Sequence, residues 1–179
     1  MKERIIKSIP LYDGKIVKLT RNLVELPNGH LAFREIVKHQ QGVCIIPVID
    51  DNILFVTQYR SGAEKLMLEL PAGLVDKNES VLDAAIRELK EETKYSSAKI
   101  TYLGGYYSSP GFTDELVHLY LAEELYQDEL PCDEDEFICL TKYSIKQANR
   151  LLATKQICDM KTALGLMIYL NTKNSQSNE

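Results

Sequence analysis

The stretch from Glu69 to Tyr95, ELPAGLVDKNESVLDAAIRELKEETKY, constrains this chain more than any other. It reads as a tight loop running into an acidic helix. Ser80, with Asp83 three residues on, makes a capping-box-like start, because a serine oxygen can accept a free amide of the first turn. Leu82, Ala85, Ile86 and Leu89 recur at helical spacing and predict a buried stripe. At about 100° per residue, Glu88, Glu91 and Glu92 fall together on one flank of that stripe. Three carboxylates one turn apart repel one another. Divalent cations would cancel the repulsion, and hard oxygen ligands suit Mg²⁺ or Mn²⁺. Arg87 points elsewhere, within reach of Glu91 at i+4 or of Glu79 in the loop. The plainer reading of the same charges is a solvated face stitched by i,i+4 pairs.

A chain of 179 residues is long enough for one sizeable core with a small appendage. Its net charge of −5 gives no basic footprint for nucleic acid or an anionic membrane. A polyanionic substrate would therefore need metal ions or local arginines. No run of about eighteen apolar residues predicts a transmembrane helix, and MKERIIKSIPLYDGK has no apolar signal-peptide core. Cys44, Cys132, Cys139 and Cys158 lack C-x-x-C spacing and read as reduced thiols of a cytoplasmic protein, mostly in the core.

Residues 15–26 and 30–38 alternate roughly, with Pro27-Asn28-Gly29 as the turn between them. They predict an N-terminal antiparallel hairpin or small sheet whose exposed edge invites a second subunit. Residues 42–49 (GVCIIPVI) read as a strand buried on both faces, and Ile53–Tyr59 as its return, ending at Arg60. Short strands follow at Met67–Leu70, Ile100–Ser108, Leu116–Ala122 and Phe137–Leu140. Ser144 caps a helix near 145–153, and a last helix runs from about Asp159 to Leu170. His118 lies within a strand and is assigned no role. The organisation read from these elements is an N-terminal β region over 1–40, a main domain over 41–171, and a polar tail over 172–179. The fold class is α/β, a mixed sheet covered by helices on both faces.

Gly73, Glu79, Arg87, Glu88, Leu89, Glu91, Glu92 and Tyr95 match the pattern G-x5-E-x7-R-E-U-x-E-E-x-G-U, with U a bulky apolar residue. The chain thus resembles the Nudix hydrolases. The one departure is Lys94, where the family has the glycine of a left-handed helix C-cap; a cation at a helix C-terminus partly compensates. The resemblance implies a Nudix α/β/α sandwich, with the N-terminal antiparallel β-sheet as an extension. It also implies hydrolysis of a nucleoside diphosphate linked to another moiety. Glu88, Glu91 and Glu92 would hold the metal, with the backbone carbonyl of Ala72 as a further ligand, while Glu79 and Arg87 would tie loop to helix.

Features outside the box resemble the ADP-ribose pyrophosphatase branch. Ser109-Pro110-Gly111 lies about fifteen residues past the box, and Glu115 completes the branch pattern SPG-x-x-x-E. By the same resemblance, Arg34 and Phe33 would contact the nucleotide across a homodimer interface, and Leu74, Ser109, Pro110, Gly111 and Glu115 would line the substrate. Arg60 is a further phosphate candidate, because an arginine grips phosphate through two parallel bonds. The general base would come from the acidic loop Cys132–Phe137: Glu136, then Glu134, with Glu91 also placed among the catalytic carboxylates. The expected reaction is Mg²⁺-dependent cleavage of ADP-ribose to AMP and ribose 5-phosphate. GDP-mannose, another nucleotide sugar or a dinucleotide is the alternative substrate, and a non-catalytic ADP-ribose sensor the alternative class.

Overall fold

Residues 42–49 form the strand around which the larger part of the protein is built. The computed structural model describes residues 1–131 and 137–176. The chain divides into two compact units: residues 1–41 with 107–116, and residues 42–106 with 117–179. Among the described residues no helix is long and apolar enough to cross a membrane.

In the larger unit β4 (Gly42–Ile49) pairs in parallel with β9 (Leu116–Gln127). Beyond β9 lies β8 (Tyr95–Tyr107). β4 turns into β5 (Asn52–Arg60) through Asp50 and Asp51, both at positive φ (46° and 56°), which is what a two-residue hairpin turn requires. β4 and β5 pair only at Val48↔Ile53 and Ile49↔Asn52. Away from the turn, β4 takes β7 (Ala72–Leu74) as its antiparallel neighbour, while β5 takes β6 (Lys65–Glu69) and β10 (Cys139–Ser144). β7 occupies what the sequence suggests is simple loop.

The two faces of β4 serve two cores. Val43 and Ile45 pack with Tyr120 and Ala122 of β9 and with Ala84, Ala85 and Leu89 of α1 (Val81–Thr93). Cys44 and Ile46 pack with Ala148 of α2 (Ile145–Ala153) and with Leu166 and Tyr169 of α3 (Met160–Gln176). This is the α/β/α sandwich expected. Both helix caps behave as read: Ser80 accepts the Asp83 amide at 3.1 Å, and Ser144 with Gln147 completes a full capping box.

Four readings are corrected. Leu82 is 44% exposed, and Ala84 takes its place in the buried face. α3 continues past Leu170 to Gln176. Cys139 and Cys158 are exposed, so of the described cysteines only Cys44 belongs to the core. The N-terminal sheet has three strands, because residues before the expected hairpin add β1.

That smaller unit orders β1 (Arg4–Asp13), β2 (Val17–Glu25) and β3 (Leu31–His39) antiparallel. The 107–116 segment is tied to β3: the Val37 amide donates to Phe112 O at 2.7 Å, the His39 amide to Asp114 Oδ1 at 3.1 Å, and Lys38 pairs with Asp114 at 2.6 Å.

Candidate active site

The loop and helix singled out by the sequence are locked together by one arginine. Arg87 donates from Nε and Nη2 to the two carboxylate oxygens of Glu79, at 2.9 and 3.0 Å. Nη2 also reaches Leu74 O at 2.9 Å, and Nη1 is shared between Glu88 Oε1 at 2.8 Å and Glu91 Oε2 at 2.9 Å. All five guanidinium hydrogens are thereby used, which a lysine could not match. Hydrogen bonding from Arg87 depresses the Glu79 pKa, and Glu79 in turn raises that of Arg87.

The carboxylates do not merely flank the buried stripe of α1; two of them are in it. Glu88 is 7% exposed and Glu92 4%. Glycine at position 73 makes room for the first. A Cβ there would stand 1.9 Å from Glu88 Oε1 and 2.1 Å from its Cδ, so the carboxylate fills the space a side chain would need. Glu92 Oε2 accepts the Ala72 amide at 2.9 Å. β7 is therefore bonded to α1 by Arg87 at Leu74 and by Glu92 at Ala72, with Glu88 seated against Gly73 between them.

Among the described residues no three His, Cys, Asp or Glu side chains are already gathered as a metal-ligand group. The donors still fit a hard divalent cation in kind, being the carboxylates of Glu88, Glu91 and Glu92 on neighbouring turns of one helix beside a strand backbone. Arg87 offsets the charge of Glu88 and Glu91 in this structure.

Lys94 ends α1 in the left-handed conformation (φ 65°), as the glycine of the family pattern would. Its ammonium donates to Glu91 O at 3.0 Å and to Leu130 O at 2.7 Å. The lysine satisfies a last-turn carbonyl and fastens the segment after β9 to the end of the helix. Lys90 adds an ion pair with Asp128 at 2.8 Å. Glu134 and Glu136, the expected base candidates, lie outside the described residues.

Sequence reasoning missed Glu69. It is 1% exposed and grips Arg60 through two bonds, Nε to Oε1 at 2.8 Å and Nη2 to Oε2 at 2.7 Å. It also receives Lys161 of α3. Although burial opposes ionisation, Arg60 and Lys161 hold the Glu69 pKa below its ordinary value. The available signal was a glutamate between Leu68 and Leu70, on a strand where a charge demands a partner. Arg60 is thus committed to Glu69 through Nε and Nη2, and neither bond uses Nη1.

In the smaller unit, Arg34 is paired with Glu3 (Nε 3.1 Å, Nη2 2.6 Å). Phe33 is 48% exposed, with the Arg21 guanidinium 3.9 Å from its ring centre, a cation–π arrangement on the sheet surface. Ser109 O accepts the amides of Phe112 and Thr113, both at 3.1 Å, so the Ser-Pro-Gly sequence is a hydrogen-bonded turn. Glu115 closes the same loop, accepting from Ser108 Oγ at 2.5 Å. Arg34, Phe33 and Ser109 through Glu115 thus share one unit, whereas Arg60, Leu74 and the carboxylate helix share the other.

Residues 38–159 match the model of the NUDIX domain. The chain is 39% identical to the ADP-ribose pyrophosphatase of Bacillus subtilis (strain 168) over 178 residues, covering 98% of this chain and 96% of that protein. It is 40% identical to the methanol dehydrogenase activator of Bacillus methanolicus over 176 residues, covering 97% and 95%. A crystal structure of an ADP compounds hydrolase superposes with a TM-score of 0.90 at 24% identity, covering 98% of this chain and 96% of the other, a likeness of fold.

Proposed function

The chain belongs to the NUDIX family, and on that premise we propose that it hydrolyses the pyrophosphate of ADP-ribose to AMP and ribose 5-phosphate. The observation that carries this reading is the carboxylate helix clamped by Arg87 to Glu79 and Leu74, with the Glu88 carboxylate seated over Gly73, within a chain similar over 98% of its length to an ADP-ribose pyrophosphatase. Hydrolases of this family generally work with a divalent metal; here we take it to be Mg²⁺, or Mn²⁺ in its place. Glu88, Glu91 and Glu92, with the Ala72 carbonyl, would hold it. When bound, the cation neutralises phosphate charge and lowers the pKa of a water ligand.

The remaining work falls to the chain itself. Arg87 and Glu79 keep the helix and β7 in register. Arg60 turns Nη1 to a phosphate oxygen while Glu69 fixes the rest of its guanidinium. Glu136, or Glu134, takes a proton from the attacking water, a role that requires hydrogen-bond reach. Ser109, Pro110, Gly111, Glu115 and Leu74 shape the substrate site. Arg34 and Phe33 meet the nucleotide across a homodimer, and the enzyme works in the cytoplasm.

The test is phosphate release from a panel of nucleoside diphosphate derivatives, with Mg²⁺ and a coupled phosphatase. A strong preference for ADP-ribose is the expected result. Preference for GDP-mannose or a dinucleotide would overturn the substrate assignment, and silence across the panel would favour an ADP-ribose sensor. The similarity to a methanol dehydrogenase activator supports a second reading. Adding the protein to a methanol dehydrogenase assay separates it, since activation without cleavage of any nucleotide would favour that role.

The homodimer has its own support. β1 is an outer strand of its sheet and exposes Ile5, Ile6, Leu11 and Tyr12, the kind of edge and apolar surface that pairs with another chain. Light scattering at micromolar concentration is expected to give the dimer mass. A monomer would remove the cross-subunit role of Arg34.

A further inference from the structure

Lys161 stands in the first turn of α3 and has no part in the scheme above. Its ammonium bonds the buried Glu69 and lies 3.0 Å from Asp159 Oδ2. Asp159 also caps α3, accepting from the Thr162 amide at 2.9 Å and from Thr162 Oγ1 at 2.6 Å. Thr162 Oγ1 in turn accepts the amide of Leu70 at 2.9 Å. A continuous chain of bonds thus runs from Arg60 through Glu69, Lys161, Asp159 and Thr162 back to the backbone beside Glu69. That backbone continues through Pro71 into Ala72, whose amide meets Glu92.

We propose that Lys161 is a positioning residue for phosphate binding: by sharing Glu69 with Arg60, it sets the place of the Arg60 guanidinium and the charge it has left for the substrate. The inference rests on the reading of Arg60 as a phosphate contact. Charge is the reason. Glu69 and Asp159 carry two negative charges, and Arg60 and Lys161 two positive ones. Remove Lys161, and an uncompensated carboxylate lies under Arg60 in a poorly solvated place, where charges act strongly. Glu92, whose field also reaches Arg60, adds to the excess. The guanidinium is then spent inward, and an incoming pyrophosphate meets net negative charge. Burial opposes the Lys161 charge, but Asp159 and Glu69 outweigh it and raise the pKa, so the ammonium persists at neutral pH.

The test measures kcat, KM and melting temperature for Lys161→Met, Lys161→Arg, Arg60→Met and the Lys161→Met/Arg60→Met double variant, on the best substrate of the panel. Lys161→Met is expected to raise KM about tenfold, within the range for residues sharing one network, with kcat changed far less. Lys161→Arg restores most of the loss, and in the Arg60→Met background the Lys161→Met change adds little. An unchanged KM in folded Lys161→Met, or an equal loss with and without Arg60, overturns the proposal. Normal KM in Arg60→Met overturns instead the reading of Arg60 on which it rests. Asp159→Asn supplies a test that does not require Lys161→Met to fold. The amide oxygen keeps the helix cap while the cluster gains net positive charge, so KM should fall, and a rise would count against the proposal.

Discussion

Glu92→Gln is expected to lower kcat by on the order of a hundredfold or more while the protein stays folded. Metal-assisted charge stabilisation contributes several kcal/mol to a transition state, and each 1.4 kcal/mol is about a factor of ten. A neutral amide is a poor ligand for a hard cation. The fold should survive because the structural bond at this position needs only an acceptor. Glu92 Oε2 takes the Ala72 amide at 2.9 Å, and a glutamine oxygen can do the same. The five bonds of Arg87 go to Glu79, Glu88, Glu91 and Leu74, so that clamp does not depend on Glu92. Steady-state kinetics, a thermal melt and a Mg²⁺ titration of the purified variant decide it. Near-normal turnover with normal metal dependence would sink the assignment of the acidic helix as the metal site.

The helix and its caps were legible because the signals are local. Ser80 and Ser144 each sit immediately before a helical pattern with an acceptor-seeking amide in reach, and both cap as read. β4 was legible as an unbroken apolar run, and the structure buries both its faces. What could not be read depended on partners far away in the chain. β1 has almost no buried residue, carries Pro10, and shifts register near Lys7 and Tyr12; a strand so irregular and exposed gives no alternation to detect. Apolar spacing alone places Leu82 in the stripe, yet it is exposed. The buried arc in fact centres on Ala84, Ala85, Glu88 and Glu92, since two carboxylates are held there by Arg87 and a backbone amide. Glu69 is the same lesson on a strand. Its burial makes sense only once Arg60 crosses from β5 and Lys161 arrives from α3, a residue 92 positions away.

Gly73→Ala should separate activity from stability in the opposite way to an ordinary core substitution. The added Cβ would lie within 2.4 Å of both Glu88 oxygens, closer than any packed contact permits, so the carboxylate must leave. It is the end of a flexible side chain and can swing aside, so the folding cost is that of local overpacking, about 1–3 kcal/mol, or several degrees in melting temperature. Activity should fall much further, on the order of a hundredfold, because Glu88 is lost from the carboxylate set and releases Arg87 Nη1 from its 2.8 Å bond. A cycle with Glu88→Ala isolates the cause. With the carboxylate already gone, Gly73→Ala should cost little further stability and no further rate. If Gly73→Ala alone keeps full activity, Glu88 does not work from the place it occupies over β7. If the cost persists equally in the Glu88→Ala background, the glycine serves backbone geometry rather than the carboxylate. In the structure φ at Gly73 is not among the positive values, so the need for glycine there is one of space, and the space belongs to Glu88.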